Sequence, residues 1–281
     1  MEVQSVAYRD SDAAARFTES LRQTGFGVLT DHPIPQSLIR DVFADWAKFF
    51  ATEEKHHYKF DPAKQAGYFP FRTENAKDSK VKDLKEFFHL FAWNELPASV
   101  HARTRELYDR MNALASELLV WVEAHTPSEL SQKFSMPLKD MIVGSQDTLL
   151  RPIHYPPLTG AEETGAIRAA AHEDINLITL LPAATAPGLQ VLDVQGKWHN
   201  VPCDPGAIVV NSGDMLQMAT QGYYRSTTHQ VMNPAGPDSA QPRYSMPLFL
   251  HPRPDVRLSE NYTAGTYLQE RLQQIGLIGK K

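Results

Sequence analysis

The 281-residue sequence holds a single cysteine, Cys203, so no intrachain disulfide can form and the chain suits a reducing compartment. A small buried hydrophobe is the simplest role for that thiol. No apolar run approaches the ~18 residues that a membrane span needs. The first stretch, MEVQSVAYRDSDAAARF, carries charges throughout and has no apolar leader segment. Basic residues do not dominate either: 28 Lys and Arg stand against 33 Asp and Glu, a net charge of -5. The clustered positive charge of a nucleic-acid binder is therefore missing, although a local pocket can still be basic. There is no internal repeat and no low-complexity tract. These absences predict a soluble, cytoplasmic protein that partners neither nucleic acid nor membrane. Nothing in the sequence speaks to oligomeric state.

What is present is ordinary globular material, with 42% hydrophobic and 22% charged residues. The first half reads helical. Asp10-Ser11-Asp12 can cap a helix through AAARFTESLRQTG that stops at Gly25. The apolar segment FGVLT follows as a strand. SLIRDVFADWAKFFA then places Leu38, Ile39, Val42, Phe43, Trp46, Phe49 and Phe50 at helical spacing. Residues 53–85 are polar and read as mostly loop, with an aromatic cluster, AGYFPFR, inside it. Lys77, Lys80, Lys82 and Lys85 read as a solvated charge run. A long helix is predicted from about Ala98 to His125.

Near Ile142 the segments shorten and turn toward Val, Ile, Leu and Thr. Pro156-Pro157, Pro187-Gly188, Gln195-Gly196, Pro205-Gly206 and Ser212-Gly213 punctuate TLLRPIHY, INLITLL, LQVLDV, AIVVN, TTHQVMN and RYSMPLFL. Many short strands with regular turns indicate a β-sandwich or jelly roll. TAGTYLQERLQQIG reads as a C-terminal helix. The expected division is a helical region over 1–141, a β core over 142–252 and a C-terminal helix or lid over 253–281, all one structural unit.

His172 and Asp174 stand two apart before INLITLL, so an extended chain presents both to one side. His229, in STTHQVMN, offers a third ligand from another strand. Two His and one carboxylate form the facial triad of non-haem Fe(II) oxygenases, leaving open positions for a co-substrate and O₂. Arg243 and Ser245 in RYSMP also share a face. A buried Arg gives a rigid fork for a carboxylate, with the hydroxyl as a further partner.

With LLRPIHYPP, AAAHEDINLITLL, the long segment from GLQVLDV to STTHQVMNP, and RYSMPLFL, the chain resembles the isopenicillin N synthase-like family of Fe(II) and 2-oxoglutarate-dependent oxygenases. TGFGVLTDHPIPQSLIRDVFADWAKFFA, AGYFPF and LKEFFHL extend that resemblance over nearly the whole chain. It implies a double-stranded β-helix (a jelly roll of cupin type) with flanking helices. It implies Fe(II) on His172, Asp174 and His229, and 2-oxoglutarate on Arg243, Ser245 and Tyr155. The implied activity is a dioxygenase that hydroxylates, desaturates or cyclises a small molecule such as an amino acid, short peptide or secondary metabolite.

Ile153 departs from the Asn of the plant branch, Gln230 replaces the usual Arg after the distal ligand, and 14 positions separate His229 from Arg243. In the family the segment with Phe87 and His89 borders the substrate, and Arg72 is a candidate for a substrate carboxylate. Asp214 reads as a cap for the MLQMA turn. Trp198 reads as packing on the barrel, and His154, His199 and His251 as structural or surface residues. Two other readings remain. One is an oxidase of the isopenicillin N synthase type that uses no 2-oxoglutarate. The other is a jelly roll that binds metal, such as Zn²⁺, without catalysis.

Overall fold

In the computed structural model, residues 1–74 and 81–279 are described; Lys77 and Lys80 of the charge run lie outside them. The helix Ala13–Thr24 ends where Gly25 takes φ 75° and its N–H closes on the Leu21 carbonyl, a left-handed stop that glycine adopts without a Cβ penalty. The helix Gln36–Phe50 buries all seven apolar residues of its stripe. Trp46 is the anchor: it is fully buried, and its indole N–H donates to Thr104 Oγ1 at 3.0 Å on the long helix His101–Ala124. Truncating a side chain buried in this way costs about 3–5 kcal/mol. Among the described residues no helix is long and apolar enough to cross a membrane.

Three sheets form the β core. The largest runs in the order Ser5–Ala7, Phe26–Thr30, Ile208–Ser212, Ile178–Pro182, Leu248–Leu250, Leu149–Leu150. A second runs Trp198–Asn200, Leu189–Leu192, His229–Val231, Ala169–His172. A third runs Arg243–Ser245, Ile153–Tyr155, Glu86–His89, Gly67–Phe69. The fold is mainly β with flanking helices around a jelly-roll core.

Strand alternation divides the interior into two layers. Ile178, Leu180, Ile208, Val210, Leu248 and Leu250 face the helices in one cluster. Phe26, Val28, Val209, Val191, Val231, Ala169, Ile153, Tyr155 and Phe87 fill the space between the sheets in another.

Two local expectations change. The region before residue 142 is helical in bulk but lends four strands to the sheets. AGYFPF is also not simply a loop, because Gly67–Phe69 pairs antiparallel with Glu86–His89, with Tyr68 opposite Phe88. Aromatic residues on both strands make that pairing favourable. Phe87 and Phe88 point to opposite sides, one to each cluster.

Candidate metal centre and adjoining cavity

The strand Ala169–His172 runs antiparallel to His229–Val231, with His172 directly opposite His229 and a register shift immediately after. The chain then turns so that Asp174 comes under both rings. One donor atom from each residue lies within 4.8 Å of the others. His172 Nε2 stands 4.0 Å and His229 Nε2 3.8 Å from the same atom, Asp174 Oδ1. Both Nδ1 atoms are turned away, at 2.7 Å from the Ala170 carbonyl and 3.0 Å from the Thr227 carbonyl. Those contacts fix Nδ1 as the protonated nitrogen and leave the Nε2 lone pairs free.

The other carboxylate oxygen is occupied. Asp174 Oδ2 accepts from Thr179 Oγ1 at 2.6 Å and Asn211 Nδ2 at 2.7 Å. Burial alone would raise this carboxyl, but the two imidazoles, Asn211 and Thr179 outweigh it and hold it below its usual range. Burial, and then the adjacent His229, push His172 down to about 4. Neutral imidazoles and an ionised carboxylate are the protonation states that a metal requires. Phe26 meets His229 edge-on at 5.5 Å and closes the apolar side.

Backbone contacts lock the ligand loop. Asp214 N–H donates to the Asp174 carbonyl at 2.7 Å and Met215 N–H to the Asn176 carbonyl at 3.1 Å. A Cβ on Gly213 would fall 2.2 Å from the Asn176 carbonyl oxygen, so only glycine allows this approach. Asp214 is not the expected side-chain cap. Its Oδ2 accepts from Tyr267 Oη at 2.6 Å, tying the C-terminal helix Ala264–Gln274 to the ligand loop.

Arg243 pairs in register with Tyr155, and Ser245 with Ile153. Arg243 is 1% exposed; its Nε donates to the Ala186 carbonyl at 2.9 Å, and its Nη1 is buried with no partner. Its guanidinium carbon lies 5.1 Å from the centre of the Tyr155 ring. A void of about 10 Å³ separates Arg243 from Cys203 and Pro187.

A cavity of about 550 Å³ opens beside the triad and includes His172 and Asp174 in its wall. Phe91, Trp93 and Phe249 supply aromatic surface, and Leu268, Leu272, Ile275 and Leu277 bring the C-terminal helix and its extension over it. His89 is in the wall. Its Nδ1 lies 3.0 Å from the Gln65 carbonyl and its Nε2 is buried without a partner. Burial, helped by Arg151, holds its pKa well below the ordinary histidine value. Phe87 sits one layer back, stacked on Phe69 at 4.4 Å and absent from the wall. Arg72 is on the surface, paired with Glu163 at 3.0 Å, and does not reach the cavity.

The wall also holds Arg151, which no sequence pattern marks, and Lys85 and His251, which the sequence reads as solvated and as structural or surface. Lys85 is not solvated: it is buried and pairs with Glu74 and Asp83, each at 2.8 Å. Arg151 stands 3.5 Å from Glu74 and lies over the rings of Phe87 and Phe249. His251 is buried in the wall, and burial lowers it to about 4. His154 and His199 are structural, paired with Glu86 and Asp193. Trp198 lies on the strand Trp198–Asn200, which pairs with Leu189–Leu192.

Comparison with known proteins agrees with this geometry. A family model described as the 2OG-Fe(II) oxygenase superfamily matches residues 146–252, and one described as a non-haem dioxygenase N-terminal region matches residues 4–111. A 2-oxoglutarate-dependent dioxygenase of Didymella fabae is 30% identical, over 84% of this chain and 78% of its own. The proline hydroxylase buaE of Petromyces alliaceus is also 30% identical, over 98% of this chain and 99% of its own. Among solved structures, a Shewanella oneidensis protein assigned as an oxygenase without further specification superposes with a TM-score of 0.89 at 51% identity, covering 99% of this chain and 100% of that one.

Proposed function

The chain belongs to the 2OG-Fe(II) oxygenase superfamily, and from that premise we propose that His172, Asp174 and His229 hold its iron. It is a 2-oxoglutarate-dependent dioxygenase that uses Fe(II) and O₂. The observation that carries the ligand reading is the convergence of two Nε2 lone pairs on one free carboxylate oxygen, with every other polar atom of the three side chains already engaged. Arg243, Ser245 and Tyr155 are the residues we assign to 2-oxoglutarate. The buried, unpartnered Arg243 Nη1 supports this, because a guanidinium out of water calls for an anion.

Bound at the triad, Fe(II) supplies the O₂-dependent oxidation that couples decarboxylation of 2-oxoglutarate to succinate and CO₂ with oxidation of a substrate C–H bond. The protein's share is positional. Thr179 and Asn211 keep Asp174 from rotating, and the Ala170 and Thr227 carbonyls set both imidazole tautomers. Arg243 aligns the co-substrate by its far end. The cavity beside the triad takes a small molecule; its volume is in the range for such ligands, and it combines aromatic walls with a few fixed polar groups. An amino-acid-sized or secondary-metabolite substrate fits that size, and the proline hydroxylase among the relatives supports it. His89 is the wall residue we assign to substrate contact. Residues 1–141, 142–252 and 253–281 act on this reading as flank, catalytic core and lid of one unit.

The test is succinate formation from 2-oxoglutarate by Fe(II)-loaded protein, stimulated by candidate substrates. His172→Ala that retained full turnover would sink the ligand assignment.

A further inference from the structure

Arg168 belongs neither to the metal triad nor to the residues assigned above to 2-oxoglutarate. It lies four residues before His172, is 1% exposed, and is one of the largest fully buried side chains. Its Nη2 donates to the Gln241 carbonyl at 3.1 Å, while Nε and Nη1 are buried with no partner. Its guanidinium carbon is 5.9 Å from the centre of the Tyr155 ring, and that of Arg243 is 5.1 Å from the same centre. Two buried cations therefore share one aromatic ring, and each has unused N–H donors.

This arrangement is costly as it stands. A buried guanidinium without a counter-charge loses several kcal/mol of solvation, and a neighbouring like charge adds to the loss. Burial first, and the Arg243 charge second, weaken Arg168's hold on its proton. Among the described residues no carboxylate pairs with either arginine. A tyrosine face returns only about 0.5–2 kcal/mol. A water molecule would satisfy one donor but leave both charges uncompensated. A carboxylate answers both deficits, since its two oxygens accept from the forks of two guanidiniums.

We propose that Arg168 is a second binding residue for the distal carboxylate of 2-oxoglutarate, acting together with Arg243 beside Tyr155. The proposal rests on the co-substrate reading above. It gives the pocket two cations for one carboxylate. It also links the strand that delivers His172 to the strand that delivers Arg243, because Arg168 already bonds to Gln241 two residues before Arg243.

The test is calorimetric titration of 2-oxoglutarate into anaerobic Fe(II)-loaded wild type, Arg168→Met and Arg168→Lys. A parallel titration uses 2-oxopentanoate, which keeps the 2-keto acid but lacks the distal carboxylate. Arg168→Met should weaken 2-oxoglutarate by about 10- to 100-fold, the scale of losing a hydrogen bond to a charged group, and Arg168→Lys should recover part of that. 2-Oxopentanoate should bind all three proteins alike. The metal-free Arg168→Met protein should melt no lower than wild type, because an unpaired buried charge has been removed.

Wild-type affinity of Arg168→Met for 2-oxoglutarate overturns the proposal. So does an equal penalty on 2-oxopentanoate, which would mark a structural role. If Arg168→Met does not fold, Arg168→Lys decides: several-fold weaker 2-oxoglutarate binding with unchanged 2-oxopentanoate binding is expected, and no difference overturns it. A wild-type protein that binds Fe(II) but no 2-oxoglutarate removes the co-substrate reading itself, which is a distinguishable result.

Discussion

Replacing Thr179 by valine tests whether the carboxylate orientation sets metal affinity. The change keeps the shape of the side chain and deletes only the hydroxyl that donates to Asp174 Oδ2 at 2.6 Å. Asn211 still donates to the same oxygen at 2.7 Å. Asp174 then has one restraint instead of two, and its free Oδ1 can swing away from the point where the two Nε2 atoms converge. A hydrogen bond to a charged group is worth about 1.5–3 kcal/mol. If most of that is lost from the metal-competent geometry, affinity falls about 10- to 100-fold, at 1.4 kcal/mol per decade. The assay is anaerobic Fe(II) titration by calorimetry, with Tm measured on the same samples. Thr179→Ser, which restores the hydroxyl, should return most of the affinity. An unchanged Fe(II) Kd in Thr179→Val would refute the reasoning, as would a loss that Thr179→Ser fails to repair.

Other perturbations follow from the same contacts. Gly25→Ala puts a Cβ at φ 75° and 2.1 Å from Thr227 Oγ1, two residues before His229; we expect about 1–3 kcal/mol of lost stability, read by denaturant melts, with weaker metal binding. His251 sits at about 4 in the folded protein against 6.5 ordinarily. Its depressed value means that stability is complete above pH ~6.5 and falls as the pH drops toward 4, by about 3 kcal/mol in total at 1.36 kcal/mol per unit. Urea titrations of the metal-free protein across that window should show the slope, and His251→Gln should flatten part of it. Lys85→Met strips the paired cation from Asp83 and leaves Glu74 only Arg151 at 3.5 Å, and should cost about 3–5 kcal/mol, whereas adding Asp83→Asn and Glu74→Gln should recover part of it; additive losses across the three would contradict a shared ion cluster.

The sequence made the triad readable because its ligands obey local rules. His172 and Asp174 are two apart, and His229 begins a strand with its own turn signals. Thr179 and Asn211 were within reach of the same logic, because alternation in INLITLL and AIVVN puts them on the inner side with Leu181 and Val209. His251 also carried a signal, since alternation through LFLH places it with Phe249 on the cavity side. Lys85 did not. Its neighbours suggest a solvated loop, and the Glu74 that pairs with it is 11 positions away in the sequence. Arg72 looked like a substrate anchor from the aromatic cluster beside it, yet its backbone takes φ 62° and the side chain leaves along the surface toward Glu163. Alternation along a strand is visible in one sequence; burial of a charge by a distant segment is not.

That difference separates the buried cations around the site into two kinds. Lys85 is fully compensated by Glu74 and Asp83, and burial, which alone would lower its pKa, is outweighed by those two charges so that its proton is held more tightly. Asp83 uses its remaining oxygen to accept from Ala170 N–H at 3.0 Å, so this cluster braces the strand that carries His172. Its charges are spent within the protein. Arg243 and Arg168 are the opposite case: burial pulls both pKa values down, and their polar partners are backbone carbonyls and, for Arg243, the Tyr155 side chain, none of them a counter-charge. A compensated cluster needs no ligand to be stable, and its removal should show first in Tm. An uncompensated pair is least stable when empty, so its removal should show first in ligand affinity. The ratio of those two effects, measured residue by residue, distinguishes the scaffold from the binding site.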